Sequence, residues 1–336
     1  MKGIQLAMNV GVNEEDFRFA QQLGLKCVQM HSPMFENKEF YEYDDMCRIV
    51  ELAHKYGMEL KAIENTPHCF YDKLLLGVEG KERQLDNYCK TIENMGKAGI
   101  GILGYHFMAN GVWRTTFQAP GRGGTGFSAY RASVAEGGYK EAGGGGDALR
   151  GMDMDKRWEN YEYFIKGILP AAEAAGVKLA MHPDDPPIAV IDGVPRLLHS
   201  VDMFKKAWEI AGGHPNWGLD FCIGTISELG GEEAVHEIID FFAPKGQIFY
   251  CHFRDVQGTV KNEDNYFQEC WLGEGNFDPA EVLMRLVRKG FSGHMIDDHV
   301  GRMAGDERGR QAHAHELGYI QGLMKMAEYL APETRE

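Results

Sequence analysis

The sequence predicts an α/β protein, a single (β/α)₈ TIM barrel, from two observations. Eight short apolar runs alternate with amphipathic stretches along the chain, which is the pattern of a parallel sheet wrapped by helices. The length of 336 residues would also allow two domains, but eight strand–helix units in one chain favour one barrel. We therefore expect one domain over residues 1–336.

The predicted strands cover residues 4–10, 27–32, 60–65, 102–108, 178–184, 217–223, 248–255 and 293–299. Helical patterns between them include residues 43–57, 81–99 and 278–290, each of which ends on Gly, as helix C-termini prefer. The last of these opens with Asp278 and Pro279, a cap followed by a first-turn proline.

One segment, residues 109–151 after the predicted fourth strand, breaks this alternation. It contains GRGGTGFSAY and EAGGGG and has no sustained period, so it is either a disordered surface insertion or a mobile lid. Loops that follow barrel strands lie on the catalytic face, and Trp113 and Arg114 at the base of the segment favour a lid. Its GRGGTG run lacks the strand–turn–helix context of a nucleotide-binding loop.

The amino-acid composition limits the classes of partner that the protein is expected to bind. The net charge of −15 argues against nucleic acid and anionic membranes, because a phosphate backbone requires a basic surface. No run of 18 apolar residues occurs, so no transmembrane helix is predicted, and acidic residues follow the N-terminus too early for a secretory signal. Seven cysteines are an odd number, which we interpret as reduced thiols in a cytoplasmic protein.

Four residues of metal-ligand type fall at the ends of predicted strands five to eight, namely His182, Cys222, His252 and Asp298. Their spacing is roughly one strand–helix unit each, so their side chains could converge at one rim of a barrel. Two imidazoles, a thiolate and a carboxylate suit Mn, Fe, Co or Zn better than Mg or Ca. The sequence therefore predicts one divalent metal site. The other six cysteines are expected to be structural: Cys27, Cys47, Cys69, Cys89, Cys251 and Cys270.

Several motifs resemble those of mannonate dehydratases, a family of the xylose isomerase-like barrel superfamily. The specific ones are HPDDPP (182–187), GVPRL (193–197), GLDFCIGT (218–225) and HFRDV (252–256), with ENTP (64–67) and YHFM (105–108) also similar. The resemblance runs from the first strand to the last helix. It implies a Mn²⁺ or Fe²⁺ ion on the same four residues. It also implies a lyase of hexuronate catabolism that converts D-mannonate to 2-keto-3-deoxy-D-gluconate and water.

The chain departs from the family pattern on the substrate side. Ile296 stands where the family has Arg, Val300 is an extra residue before Gly301, and His106 replaces an Asn. The resemblance also implies a catalytic Tyr after the eighth strand, for which Tyr319 is the nearest candidate.

Dehydration of a sugar acid requires removal of the C2 proton and expulsion of the C3 hydroxyl. His299, next to Asp298, is the first candidate for acid or base, because an imidazole titrates in the working range. Arg196, Arg254 and Arg302 could hold the substrate carboxylate, since a guanidinium matches its geometry. The full set of candidate substrate-binding residues is Glu64, His106, Trp113, Arg114, Asp184, Arg196, Arg254 and Arg302.

Two other functions stay open at this stage. A metal-dependent sugar isomerase or epimerase on the same barrel would need two opposed acid–base groups, such as Glu64 and His299. A non-catalytic barrel would bind a sugar acid without converting it. The sequence leaves a homo-oligomer, such as a dimer, open as well.

Overall fold

The computed structural model describes residues 3–36, 38–138, 140 and 146–330. Its centre is a sheet of eight parallel strands. In chain order these are β1 (Gln5–Leu6), β2 (Cys27–His31), β3 (Glu59–Glu64), β4 (Ile102–Tyr105), β5 (Lys178–Met181), β6 (Trp217–Cys222), β7 (Ile248–His252) and β8 (His294–Ile296).

The sheet closes on itself just beyond β1. Strands β2 to β8 pair with their sequence neighbours and β1 pairs with β8. A parallel bridge joins Asn9 to Gln29, where Val10 N–H donates to Gln29 O at 2.9 Å and Gln29 N–H donates to Met8 O at 3.0 Å. The predicted (β/α)₈ barrel is thereby confirmed.

Each barrel strand is followed by one helix of the outer ring. These are α1 (Glu14–Gln22), α2 (Tyr43–Lys55), α3 (Lys81–Lys97), α4 (Met154–Ala175), α5 (Val201–Ile210), α6 (Ile223–Phe242), α7 (Pro279–Arg288) and α8 (Arg310–Leu330). As predicted, Asp278 caps α7, because its Oδ1 accepts the Ala280 N–H at 2.8 Å. Among the described residues, none of these helices is long and apolar enough to cross a membrane.

The observed strands begin near their predicted first residues but end earlier. Strand β4 ends at Tyr105, β5 at Met181 and β8 at Ile296, whereas the predicted strands extend to residues 108, 184 and 299. The extra residues belong to loops at the carboxyl rim. His182 is consequently the first residue after β5, and Asp298 lies two residues beyond β8.

A second, antiparallel sheet of four strands, which we call the rim sheet, is built from the loops after β4 and β7. It pairs Thr116–Pro120 with Gly126–Arg131, the latter with Tyr266–Cys270, and that strand with Asp255–Thr259. The Gly-rich run 121–126 forms the tip of the first hairpin. Within the described part of the predicted 109–151 insertion, residues 116–131 are therefore ordered β-structure; Tyr139 and residues 141–145 lie outside the described residues. Movement as a lid stays a prediction.

Candidate metal centre and active site

Three predicted ligands meet at the carboxyl rim of the barrel. His182 follows β5, Cys222 ends β6 and His252 ends β7, and their ligand atoms all lie within 4.8 Å of one another. Neighbouring parallel strands deliver their last residues to the same edge, which is why sequence positions so far apart converge.

Hydrogen bonds to the two imidazoles leave one nitrogen of each ring free to bind a metal. His252 Nε2 lies 3.0 Å from Glu64 Oε2, to which it donates, while His252 Nδ1 is buried without a hydrogen-bond partner among the described residues. His182 Nδ1 donates to the Pro183 carbonyl at 2.7 Å, which leaves its Nε2. Metal-binding histidines typically donate their second N–H to a carboxylate or a carbonyl in this way.

The surroundings of Cys222 favour its thiolate form. It is the residue from which α6 starts, where the helix dipole favours negative charge, and Thr225 Oγ1 donates to its sulfur at 3.0 Å. Burial alone would raise the pKa of the thiol, but the charge of Arg254 and the adjacent imidazoles of His182 and His252 lower it well below its usual value. A thiolate is the form of cysteine that binds metals.

Asp298 approaches the same centre from β8. Its backbone has a left-handed φ of 60°, and its Oδ2 lies 3.5 Å from His252 Nδ1. The same oxygen accepts a 2.9 Å hydrogen bond from Arg254 Nε. Asp298 stands outside the 4.8 Å group of three, next to the free nitrogen of His252.

The donor set fits a divalent transition metal. The pKa of His182 is raised to about 10 because Asp220 and Cys222 overcome the opposing effect of burial, so the site attracts positive charge. An orphaned imidazole nitrogen, a thiolate and a carboxylate are borderline ligands that such ions prefer.

Two buried carboxylates support His252 from inside the barrel. Gln29 Nε2 donates to Glu64 Oε2 at 2.6 Å, and Tyr250 Oη donates to Asp220 Oδ2 at 2.8 Å. Asp220 Oδ1 lies 3.3 Å from His252 Nε2. Glu64, which the sequence predicted to bind substrate, thus orients the predicted metal ligand His252.

A cavity of about 410 Å³ opens above these residues. Its polar lining includes Glu64, Asp185 and Asp298, and also six histidines: His31, His106, His182, His252, His299 and His313. The described lining residues include neither lysine nor arginine. Imidazoles and carboxylates are therefore the groups that would meet a ligand there.

His299 combines access with a fixed orientation. Its side chain is 42% exposed, and its Nδ1 lies 2.7 Å from Glu269 Oε1 on the rim sheet. Although burial opposes it, the charges of Asp298 and Glu269 raise the pKa of His299 to about 9. The ring thus donates from Nδ1 to Glu269 and can exchange a proton at Nε2.

Arg114 and Arg254 are engaged by protein carboxylates. Arg114 Nη2 donates to Asp185 Oδ2 at 2.8 Å and to Glu269 Oε1 at 3.1 Å. Arg254 bonds Asp185 Oδ2 and Glu228 Oε1, each at 3.0 Å. Both side chains are buried and do not line the cavity, so Arg114 is not placed for the substrate contact predicted for it, nor Arg254 for the substrate carboxylate.

Arg196, Asp184 and Trp113 also lie beneath the cavity surface. Arg196 donates to Asn110 Oδ1 at 2.8 Å and to the Asp185 carbonyl at 2.7 Å. Asp184 Oδ2 accepts the Leu198 backbone N–H at 2.7 Å, and the Trp113 backbone N–H donates to the Asp185 carbonyl at 3.1 Å. These contacts fix the HPDDPP loop rather than a ligand.

Arg302 and Tyr319 are placed elsewhere. Arg302 is exposed and its guanidinium lies 4.7 Å from the Phe117 ring centre of the rim sheet. Tyr319 is 40% exposed on α8, and neither residue is among those that line the cavity. The structure does not bring them to the centre.

Sequence reasoning missed His31, Asn65, His313 and Asp185, all of which line the cavity. His31 and Asn65 follow the rule used for the metal ligands, since they stand at the ends of β2 and β3. His313 lies on α8 and pairs with Asp297 at 2.7 Å, a contact that strand spacing could not reveal.

Comparisons with known proteins identify the family of the chain. The model of the family "D-mannonate dehydratase (UxuA)" matches residues 17–141 and 146–331. A mannonate dehydratase from Thermotoga maritima is 28% identical over 317 residues, covering 85% of this chain and 86% of that protein. One from Lactococcus lactis subsp. cremoris is 27% identical over 303 residues, covering 81% of this chain and 83% of its own.

Solved structures show the same fold. A mannonate dehydratase from Streptococcus suis serotype 2 superposes with a TM-score of 0.83 at 22% identity, covering 99% of this chain and 95% of the other. An L-ribulose 3-epimerase gives a TM-score of 0.60 at 14% identity, covering 100% and 99%. The match of the family model over most of the chain shows that this protein belongs to the D-mannonate dehydratase family.

Proposed function

We propose that the protein removes water from D-mannonate to give 2-keto-3-deoxy-D-gluconate, with one Mn²⁺ or Fe²⁺ ion per chain. The observation that carries the proposal is the convergence of His182, Cys222 and His252 within 4.8 Å at a cavity that His182, His252 and His299 line. Membership of the family supports the reaction class. The seven free cysteines are consistent with the cytoplasmic location that we include in the proposal.

The metal would be held by His182, Cys222, His252 and Asp298. When bound, a divalent ion supplies Lewis-acid stabilisation of negative charge that develops beside the substrate carboxylate. Glu64 orients His252, and Arg254 orients Asp298 through its 2.9 Å hydrogen bond. These contacts hold His252 and Asp298 in place before substrate binds. The free-energy cost of reaching the reactive arrangement is therefore lower.

His299 carries a proton at Nε2. Because its pKa is raised to about 9 by Asp298 and Glu269, the ring is protonated near neutrality and suited to donate a proton to the departing C3 hydroxyl. Glu269 accepts from Nδ1 at 2.7 Å and thereby fixes the ring orientation. The substrate carboxylate would meet the bound ion and the cavity imidazoles, because the donors of Arg114 and Arg254 already bond protein carboxylates.

A substrate screen tests this proposal. Protein stripped of metal and then reloaded with Mn²⁺ is incubated with a panel of hexonates, and the 2-keto-3-deoxy product is assayed. We expect product from D-mannonate with the reloaded protein and none with the stripped protein. Turnover that does not need metal, or a preference for a different hexonate, would contradict the assignment.

A further inference from the structure

Four buried side chains form a hydrogen-bonded series, which we call the interior network, through the middle of the barrel. His294 Nε2 lies 2.7 Å from Gln29 Oε1, and Gln29 Nε2 lies 2.6 Å from Glu64 Oε2. The same Glu64 oxygen accepts from His252 Nε2 at 3.0 Å. All four residues are buried. Barrel interiors are mostly filled by branched apolar side chains, so a polar series in this place requires an explanation.

The interior network begins at the end of the barrel opposite the metal centre. His294 is the first residue of β8, and it lines a cavity of about 180 Å³ together with Gln5 and Lys178, the first residues of β1 and β5. Glu64 and His252 are instead the last residues of β3 and β7. His294 does not line the active-site cavity, so any effect that it has on the metal centre passes through other side chains.

The chemistry of the groups fixes the direction of each hydrogen bond. A carboxylate only accepts hydrogen bonds, so Glu64 requires the amide nitrogen of Gln29 on its side. The amide oxygen of Gln29 then faces His294, which has to donate from Nε2. Burial lowers the pKa of His294 to about 3, so its ring is neutral and has a single N–H to donate. His294 therefore selects one of the two orientations of the Gln29 amide.

The ring of His294 is held in place by Tyr250. The two rings stack with their centres 4.9 Å apart and their planes at 10°. Tyr250 Oη donates to Asp220 Oδ2 at 2.8 Å, and Asp220 Oδ1 lies 3.3 Å from His252 Nε2. Two routes from the stacked rings thus reach the same nitrogen of His252.

Both routes favour one tautomer of His252. Acceptors at Nε2 keep the proton of a neutral imidazole on that nitrogen, which leaves Nδ1 without a proton and available to an ion. Nδ1 is also the nitrogen that is buried without a hydrogen-bond partner among the described residues. A buried network whose members are all hydrogen-bonded holds its side chains in one arrangement. The orientation of His252 is thereby set before any ion binds.

We propose that His294 and Gln29 are positioning residues of the metal centre, which act on His252 through Glu64. The inference rests on the metal centre of the proposed function, but it does not depend on the identity of the substrate. Interruption of the interior network at either residue should weaken metal binding, although neither residue is a ligand.

The test measures the binding of Co²⁺ to metal-free protein, because the visible absorption bands of this ion report the geometry of its ligands. His294→Phe keeps a ring that can stack on Tyr250 but removes the donor. Gln29→Met keeps the length of the side chain but removes the amide. Each should weaken Co²⁺ binding about 3–10-fold, the size expected for one net hydrogen bond, and should shift the visible bands.

Two further variants distinguish positioning from packing. His294→Gln restores an N–H donor for the Gln29 oxygen, so the Co²⁺ affinity and the visible bands should return nearly to their wild-type values. Gln247→Met is the matched control. Gln247 is another buried glutamine, whose Nε2 donates only to the carbonyls of Gly213 and His214, each at 3.3 Å. Its loss should leave the Co²⁺ affinity and bands unchanged, and thermal unfolding shows that each variant is folded.

The outcomes separate this inference from the proposed function. Wild-type affinity and bands in both His294→Phe and Gln29→Met, equal weakening in Gln247→Met, or weakening that His294→Gln does not reverse would overturn the positioning role. Wild-type protein that binds no Co²⁺ would overturn the metal centre and this role with it. The expected pattern of Co²⁺ binding in a protein that does not dehydrate D-mannonate would support the positioning role and contradict the dehydratase assignment.

Discussion

His299 owes its orientation to one contact, the 2.7 Å hydrogen bond to Glu269. This carboxylate comes from the rim sheet, whereas His299 itself follows β8, so the two parts of the molecule meet at the proposed proton carrier. The pKa of Glu269 is lowered to about 2 because His299 and two arginines outweigh the effect of burial. A permanently ionised Glu269 keeps the Nδ1 proton of His299 in place.

Replacing His299 tests its role. His299→Asn should lower kcat about 10²–10⁴-fold, as loss of a general acid or base does, while the variant keeps a full metal equivalent. Steady-state kinetics and elemental analysis provide the measurements, and His54→Asn on the exposed end of α2 is the control. Loss of metal would instead make His299 a ligand, and wild-type rates would assign the proton to another group.

The ligand set predicts metal content directly. The Cys222→Ala/His252→Ala protein should contain less than about a tenth of the wild-type metal, because losing only a group that orients a ligand already costs about 10–100-fold in metal affinity. Elemental analysis after dialysis measures this. Cys89→Ala, a change at a partly buried cysteine on α3, should bind a full equivalent. A double variant that retains the metal would contradict the assigned centre.

The residues that the sequence identified well are those at strand ends. The positions of His182, Cys222 and His252 follow from the barrel and from one-unit spacing, both of which are readable in the chain. The arginines are different, because a sequence does not show whether a guanidinium meets a substrate or a protein carboxylate. Arg114 meets Asp185 and Glu269, residues 71 and 155 positions away, and nothing local predicts such pairs.

At the scale of elements, the rim sheet is the feature that periodicity did not predict. Its strands come from two loops, and the pairing of Tyr266–Cys270 with Gly126–Arg131 joins segments more than a hundred residues apart. The Gly-rich tip at 121–126 resembles an unstructured insertion when read alone. Its hairpin is part of a sheet because Gly126–Arg131 pairs with the distant strand Tyr266–Cys270.

The buried ion pairs of Arg114 connect Glu269 of the rim sheet to Asp185 in the loop after β5. Arg114→Met leaves Asp185 and Glu269 with fewer donors in a buried site, and breaking such a pair typically costs about 3–5 kcal/mol. We expect a fall of that size in the free energy of unfolding, measured by urea denaturation.

Arg285→Met is the matched control for Arg114. Arg285 also forms a bidentate pair, with Asp240 at 3.0 and 2.6 Å, but on the surface, where the loss should be about 0–1 kcal/mol. Equal falls in the free energy of unfolding for the two variants would contradict the stabilising role of the buried Arg114 ion pair.

For the whole molecule, the alternation of strands and helices was enough to predict the barrel, because each strand–helix unit buries its apolar residues in the same way. The sequence predicted the first strand at residues 4–10, but it did not show how that strand closes the barrel. Strand β1 has only two residues, and the bridge from Asn9 to Gln29 completes the ring.

The pH dependence of the free energy of unfolding tests the raised pKa of Glu316, a buried carboxyl on α8. Burial and the nearby Asp297, Asp255 and Glu274 raise the pKa of Glu316 from 4.5 to about 7. A carboxyl with a raised folded-state pKa stabilises the fold below its unfolded pKa, and that contribution is lost as the pH rises toward 7. Glu316→Gln stays neutral, so it should be about 1–3 kcal/mol more stable than wild type at pH 8 and nearly equal at pH 4.5.

Urea titrations at the two pH values measure this difference. Glu281→Gln, at an exposed position on α7, is the control. Its free energy of unfolding should differ from that of the wild type by the same amount at both pH values. A Glu316→Gln protein whose advantage does not grow with pH would contradict the raised pKa.

The mass of the product formed from D-mannonate by the Mn²⁺-loaded protein tests the central claim most directly. Dehydration predicts a single 2-keto-3-deoxy acid, lighter than the substrate by one water, whose formation stops when the metal is removed. A product of unchanged mass would instead identify an isomerase or epimerase on the same barrel, and D-mannonate that binds and is recovered intact would identify a barrel without catalysis.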